Sequence, residues 1–465
     1  MAQPQRGIDR YITRIAGWAV GVFQRIEARG GPIPGGPVLV VANHPNSLLD
    51  PLIVFRVAGR PTRPLAKAPL FEQAILGAVL RALGGLPVFR RQDDPSLMHR
   101  NEQTFDAAIA ALEAGDAIQI YPEGRSHSEP ALGPVKTGAA RIALAAESAS
   151  RWNLGLQIVP IGLTYRSKSL FRGTALAVIG EPFRVGDLRA DWETDEAEAV
   201  RALTERIAHS IETVTLNLSS HEDLELIEAA DRLYAREKGM QRWREREGMG
   251  ERMPRLRSFA RGLAWLRAND PQRHDRLAHA VRRYRKALSL YGSAEADVPP
   301  EYEAGPVIRY VIREAAALAF TLPFAAIGSL LWAPAFFAPR LVVAALKPEF
   351  EAIATWKLTT GFFAVPLTLA VLSFIVSRLA GPLAGALAIP ATFFTGLAAI
   401  AFYERWRRVR EDVRVFVRAL THRRGPDRLA QLRSALAAEF DAILDEMPSD
   451  ASTNGIPAPA QPPGA

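Results

Sequence analysis

The sequence predicts an α/β domain built on a mixed sheet covered by helices, followed by a charged helical region and C-terminal hydrophobic membrane helices. Three observations lead there. Between residues 36 and 185, short apolar runs of strand length alternate with stretches whose apolar residues recur every three or four positions, the pattern of strands covered by helices. Residues 219–300 then mix Arg and Glu closely, with apolar positions at helical spacing. Finally, residues 315–339 hold no charged side chain across 25 positions, and 358–377 and 379–403 are similarly apolar on either side of Arg378. Crossing the hydrocarbon layer needs about 20 such residues.

Composition narrows the function classes. At 465 residues the chain exceeds one core and is expected to hold several units. It has no cysteine, which excludes disulfides, thiolate metal sites and cysteine nucleophiles. A net charge of +8 beside a hydrophobic fraction of 48% suits an anionic phospholipid membrane. A nucleic-acid partner is not expected, because no helix-turn-helix pattern, aromatic RNP-like strand or zinc-ligand spacing accompanies the basic charge.

In chain order, residues 1–35 are expected to be an amphipathic N-terminal helix. In YITRIAGWAVGVFQRIEARG, the residues Ile12, Ile15, Trp18, Ala19, Val22 and Phe23 make one apolar face, suited either to a membrane or to the domain itself. Arg14, Arg25 and Arg29, with no small-residue cleavage site, speak against a secretory signal. The α/β domain is expected over 36–218, with strands in PVLVVAN, AIQIYPEG, LQIVPIGLTYR and TALAVIGEPF and helices over 68–83, 97–114 and 136–150. Residues 219–312 read as a charged helical insertion or lid and 404–446 as basic helices. The tail 447–465, rich in Pro, Ala and Gly, cannot bury a core and is expected to be disordered.

The membrane segments fall within 313–403. Three full crossings would set the basic stretch 404–424 opposite the α/β domain, against the cytoplasmic preference of Arg and Lys. An even number is therefore expected, with one span at 315–339, a second around 381–403, and 358–377 as a partner, re-entrant or interfacial segment. Pro334, Pro339, Gly381 and Pro382 would serve as breaks. The α/β domain would then face the cytoplasm from an inner or plasma membrane.

Three stretches carry chemistry. In VANHPNSLLDPLIV, His44 and Asp50 stand six positions apart. On one continuous helix that offset is a rotation of about 240°, which would separate them. Pro45 disfavours helical geometry at His44, so the histidine belongs to a loop leaving a strand and the chain can turn before Asp50. Asp50 before Pro51 has the look of a helix N-cap, and both polar groups can face the C-terminal edge of the sheet. A histidine steadied by a carboxylate can take a proton from a hydroxyl; a capped helix with a turn histidine is the plain alternative. In YPEGRSHSEPALGPVKTGAARIA, the residues Glu123, Gly124, Arg125 and Ser126 precede Lys136 and Gly138, gathering cations and backbone amides where phosphate can bind, or else forming a polar surface loop. In GGLPVFRRQDD, Arg90 and Arg91 end a short strand, placed to clamp a phosphate or to lie near a bilayer.

The order of these blocks, His/Asp, then Gly-strand-Arg, then Glu-Gly-Arg-Ser, then VPIG at 159–162, closely resembles the glycerolipid acyltransferase family over residues 36–185. The family's usual pair is H-x4-D and its third block usually E-G-T-R-S. The H-x5-D spacing here and the missing threonine resemble the branch that includes glycerol-3-phosphate and dihydroxyacetone-phosphate acyltransferases. The resemblance implies that His44 deprotonates the acceptor hydroxyl and Asp50 orients it. Arg91 would hold the acceptor phosphate, with Glu123, Gly124, Arg125 and Ser126 completing that pocket and Pro160 on the acyl or thioester side. The implied co-substrate is acyl-CoA or acyl carrier protein, the implied acceptor a phosphorylated glycerol, either glycerol 3-phosphate or its monoacyl product, and no cofactor or metal is required.

Two other classes stay open. A serine hydrolase would use Ser47 or Ser126 with His44, though neither serine lies in a G-x-S-x-G elbow. A non-enzymatic membrane anchor or transport-related protein would need more intramembrane polar groups than Arg378 alone.

Overall fold

The structure, a computed structural model, describes residues 8–90, 94–240, 248–289, 304–421 and 425–448. These fall into two compact units. One lies within residues 1–220 together with Pro348–Leu358, and the other comprises the remainder.

Among the described residues the first unit holds a sheet of eight strands: β1 (Gln24–Arg29), β2 (Val38–Ala42), β3 (Arg63–Lys67), β4 (Leu86–Val88), β5 (Ala117–Ile120), β6 (Gln157–Tyr165), β7 (Gly173–Ile179) and β8 (Phe183–Arg184). Its order is β1-β7-β6-β2-β5-β3-β4, with β8 pairing β6. The pairs β2–β5, β2–β6, β3–β5, β3–β4 and β1–β7 are parallel, whereas β6–β7 and β6–β8 are antiparallel, so the sheet is mixed as expected. The helices are α1 (Ile8–Phe23), α2 (Leu49–Val57), α3 (Pro69–Glu72), α4 (Ala74–Ala82), α5 (Asn101–Glu113), α6 (Gly138–Ala149), α7 (Arg189–Thr194) and α8 (Glu196–Val214).

Strand β2, VLVVA, is buried along its whole length because both faces of the sheet are covered. Leu39 and Val41 pack with residues of α5, α6 and α8, while Val38, Val40 and Ala42 pack with α1 and α2. Pro160 lies within β6, on a central strand that proline normally avoids. It stands between the residues that pair β8 and those that pair β7, where β6 changes neighbour, and its carbonyl accepts the Gly180 N–H at 2.9 Å.

The four long apolar runs are the strands β2, β5, β6 and β7. Strands β1, β3 and β8 were not expected, and β1 shortens the N-terminal helix, which ends at Phe23 rather than reaching residue 35. QRIEAR carries three charges and forms an edge strand. The faces of α1 also differ from expectation. Thr13, Gly17, Val20 and Phe23 turn inward, while Tyr11, Ile15, Trp18 and Val22 are exposed, Tyr11 at 68% and Trp18 at 61%.

The second unit continues with α9 (His221–Glu237), α10 (Met249–Asn269), α11 (Pro271–Ser289), α12 (Ala304–Leu331), α13 (Ala333–Leu346), α14 (Phe350–Ala380, its first turns in the first unit), α15 (Pro382–Thr421) and α16 (Gly425–Glu446). The charged region is helical as expected, but it is not a free-standing insertion. Helix α16 closes it, through Arg273 to Glu439 and Glu446 at 2.6 Å each, Arg433 to Glu237 at 2.7 Å, and Phe440 against Phe259. Asp231 inside it is fully buried and receives both Arg252 and Arg255.

Ile308–Leu331, Phe350–Ala380 and Pro382–Arg414 are each long and apolar enough to cross a membrane. Helices α12 and α15 run antiparallel, joined by Glu314–Arg405 at 3.1 Å and by Trp332 Nε1 donating to the Thr392 carbonyl at 2.8 Å. Gly328 makes that approach feasible, because a Cβ there would come 2.1 Å from the Thr395 carbonyl oxygen. The segment 358–377, expected as a partner, re-entrant or interfacial segment, belongs to one continuous helix as long and apolar as the others. The span expected at 315–339 breaks near Trp332, where Pro334 opens α13, and Gly381 separates α14 from α15 at φ +91°. Most of the tail expected to be disordered, 449–465, lies outside the described residues.

Candidate active site

Parallel strands deliver their C-terminal ends to one edge of a sheet, and the loops that follow them meet there. His44 comes in the loop after β2, Arg90 after β4, and Glu123 to Ser126 after β5. His44 lies outside regular structure, as Pro45 requires. The chain then turns through Ser47, a non-glycine residue at φ +39°, before α2 begins.

That turn closes the His44–Asp50 pair. The Nδ1 atom of His44 is 2.8 Å from Oδ2 of Asp50. Asp50 is fully buried, and its charge is met by two further donors, the Asn46 N–H on Oδ2 at 2.7 Å and the Tyr165 hydroxyl on Oδ1 at 2.6 Å. A buried carboxylate needs such partners. Asp50 is not the N-cap expected for it: Leu48 holds that position, and Asp50 is the second residue of α2, reaching back to bind the turn. With Nδ1 committed, Nε2 is the nitrogen left for a hydroxyl, and the side chain of His44 is 18% exposed. The imidazole stacks on Tyr121, centroids 4.3 Å apart. Burial, and after it the Asp50 carboxylate, push the phenols of Tyr121 and Tyr165 well above their ordinary range, so Tyr165 stays a proton donor to Asp50.

Glu123, expected in the substrate pocket, is buried and has both oxygens in use. Oε1 accepts the His44 backbone N–H at 2.8 Å, and Oε2 accepts the Gly133 N–H at 2.7 Å and meets His127 Nε2. It braces the two loops against each other, an arrangement better suited to an anionic side chain than contact with a phosphate. His127 adds a second tie, its N–H donating to the His44 carbonyl at 3.2 Å.

The cations gather around Gly124. Arg90 donates to its carbonyl at 3.1 Å. Gly124 itself has φ +72°, and a Cβ there would lie 2.5 Å from Lys136 Nζ, so the lysine can lie over it only because the residue is glycine. Arg125 and Lys136 are exposed, and Gly138 opens α6 with free space beside it. The Ser126 hydroxyl accepts from Ser47 at 3.2 Å, an arrangement that binds the two serines to each other. Pro160 sits in β6, register-paired with Val41 of β2. Arg91 lies outside the described residues.

Sequence reasoning missed several contributors. Tyr121, Tyr165 and His127 are legible only once the strands are placed, because the nearest, Tyr121, lies 77 positions from His44. Asn43 exchanges two hydrogen bonds with the Leu163 backbone, at 2.7 and 3.0 Å, pinning the loop to β6. Lys168, whose carbonyl accepts from Asn46 at 3.2 Å, has its ammonium lowered by burial against the opposing pull of Asp50, Glu351 and Glu129.

A histidine held by a buried carboxylate, beside an open basic loop, defines a site able to draw a proton from a hydroxyl next to an anion. The family model Acyltransferase matches residues 25–164, the stretch that holds His44, Asp50 and Glu123. Among curated proteins, an uncharacterized acyltransferase of Schizosaccharomyces pombe is 23% identical over 450 residues, covering 74% of this chain and 65% of its own. Glycerol-3-phosphate O-acyltransferase 2 of Saccharomyces cerevisiae is 36% identical over 135 residues, 29% of this chain and 18% of that one. Glycerol-3-phosphate O-acyltransferase 1 of the same yeast is 25% identical over 272 residues, 55% of this chain and 35% of that one. The chain thus spans under two thirds of the length of each of these relatives. The solved structure of the 1-acyl-sn-glycerophosphate acyltransferase of Thermotoga maritima aligns over 45% of this chain and 79% of its own, at 19% identity and a TM-score of 0.32.

Proposed function

We propose that the protein is a membrane-bound O-acyltransferase that moves a fatty acyl group from an acyl thioester, acyl-CoA or acyl carrier protein, to a hydroxyl of glycerol 3-phosphate or its 1-acyl product. The observation that carries this is the 2.8 Å His44–Asp50 contact, with Nε2 of the ring left to face substrate. In the reaction Nε2 takes the hydroxyl proton while Asp50 steadies the imidazolium. The oxygen attacks the thioester carbonyl, the carbon–sulfur bond breaks, and the departing thiolate recovers the proton from His44. No acyl-enzyme forms. Arg90, Arg125 and Lys136 hold the acceptor phosphate, and the resemblance of the second block implies the same role for Arg91.

A membrane location fits both lipid partners. The outward stripe of α1, Tyr11, Ile15, Trp18 and Val22, stands exposed, and Leu170 and Phe171 are exposed in the loop that Phe23 contacts. Aromatic and aliphatic side chains in such a stripe suit the bilayer interface. Incubating the membrane-embedded protein with labelled acyl-CoA and each acceptor tests the reading. His44→Ala should lower labelling about 1,000-fold or more, as losing a general base held by its carboxylate does in related chemistry. Equal labelling by the two versions overturns it.

A further inference from the structure

Helix α14 opens inside the first unit, not beside it. Ala354 is fully buried in the core formed by β2, β6 and α2, and Leu358 packs against the same cluster. The polar residues of these first turns each engage a loop of the site. Glu351 Oε1 accepts from Ser128 Oγ at 2.6 Å, in the loop after β5 and one residue beyond His127. Thr355 Oγ1 accepts the Leu48 N–H at 3.3 Å, at the end of the His44 loop and next to the strained Ser47. Lys357 Nζ donates to the Ser169 carbonyl at 2.8 Å, in the turn whose Lys168 carbonyl receives Asn46.

Glu351 and Thr355 are one helical turn apart and share a face. That face therefore spans the two loops whose mutual placement sets the distance between His44 and the cations around Gly124. A non-glycine residue in the left-handed region persists only where its surroundings over-determine it, and the amide just beyond Ser47 is the one Thr355 receives. Beyond Leu358 the helix is apolar, with Arg378 its only charged side chain as far as Ala380.

We propose that residues 351–357 are a positioning element of the acyl-transfer site, an inference that rests on the function proposed above. Glu351 and Thr355 fix the His44 loop against the Glu123 loop, so the rate of transfer depends on the root of a membrane-length helix lying outside the matched domain.

The test uses the full chain in membranes. Glu351→Leu and Thr355→Val remove the two acceptors, while Glu351→Gln and Thr355→Ser keep an oxygen at each position. The Leu/Val double variant should lose kcat about ten-fold or more while acceptor KM stays within about two-fold, since small misplacements of catalytic groups act on the chemical step. The Gln/Ser version should restore most of the rate. Hydrogen exchange should rise in peptides covering 43–49 and 123–129 and stay unchanged in 38–42. An unchanged kcat, an equal loss in both double variants, or a rise in exchange that includes 38–42 overturns the proposal. If the wild type transfers no acyl group to either acceptor, the functional reading fails, and exchange alone decides the positioning role: a rise confined to the two loops supports it, and no rise overturns it.

Discussion

The loop leaving β2 and the loop leaving β5 start from neighbouring parallel strands, but they treat their polar groups in opposite ways. In the first, Asp50 is fully buried and meets three donors, and Asn43, His44 and Asn46 are each tied to backbone or side chain. In the second, Glu123 is the buried brace, while Arg125 and Lys136 stay in the open over a left-handed glycine. Proton transfer needs a ring whose tautomer and angle are set beforehand. Anion capture needs donors that can still move to the ligand, and cations kept in water carry little desolvation cost until it arrives.

The contrast is broken most severely at Asp50. Asp50→Asn would face the imidazole with an amide donor, favouring the tautomer whose Nε2 carries the proton, and kcat should drop about 100- to 10,000-fold. An acyl-transfer assay on membranes, with thermal inactivation measured in parallel, separates that loss from unfolding. Next in size is the open loop. Lys136→Met should raise the acceptor KM about ten-fold, the range of one charge-assisted hydrogen bond, with kcat nearly unchanged. A fall in kcat without a KM change would show that the two loops do not divide the work in this way.

The smallest effect is expected at Tyr165. Tyr165→Phe removes one of the three donors to Asp50 and should cost about three- to ten-fold in kcat. It also alters behaviour in alkali. Because burial raises the folded pKa of Tyr165, its share of stability is complete below the unfolded phenol value of about 10 and is lost as pH climbs from there towards the folded value. Lys168, whose pKa burial lowers, works in the opposite direction, but both versions share it. Thermal inactivation above about pH 10 should therefore steepen less with pH in Tyr165→Phe than in the wild type.

Much of this was readable in the sequence where the controlling physics is local. Pro45 alone takes His44 out of a helix, and the long apolar runs are the central strands. Asp50 was misjudged as a cap because Pro51 signals a helix start only to within a residue or two, and the helix begins at Leu49. RPLAK and QRIEAR are too short and too charged to stand out as strands, and they form because β5 and β7 offer them an edge. Glu351, Thr355 and Lys357 look in sequence like the wet end of a membrane helix. Likewise, nothing near Arg273 announces Glu439, 166 positions away. Patterns of period two or four cannot see such partners.

The first turns of α14 also impose an order of manufacture. A ribosome adds about 5–20 residues per second. The sheet, complete in sequence by residue 184, must wait for residues 221–347 to emerge before Glu351 and Thr355 can reach their loops. That delay is on the order of ten seconds. During it α12, one of the helices of membrane length, has already left the ribosome. A nascent chain therefore carries its histidine and carboxylate early but finishes their setting late, after the first helix of membrane length has been made.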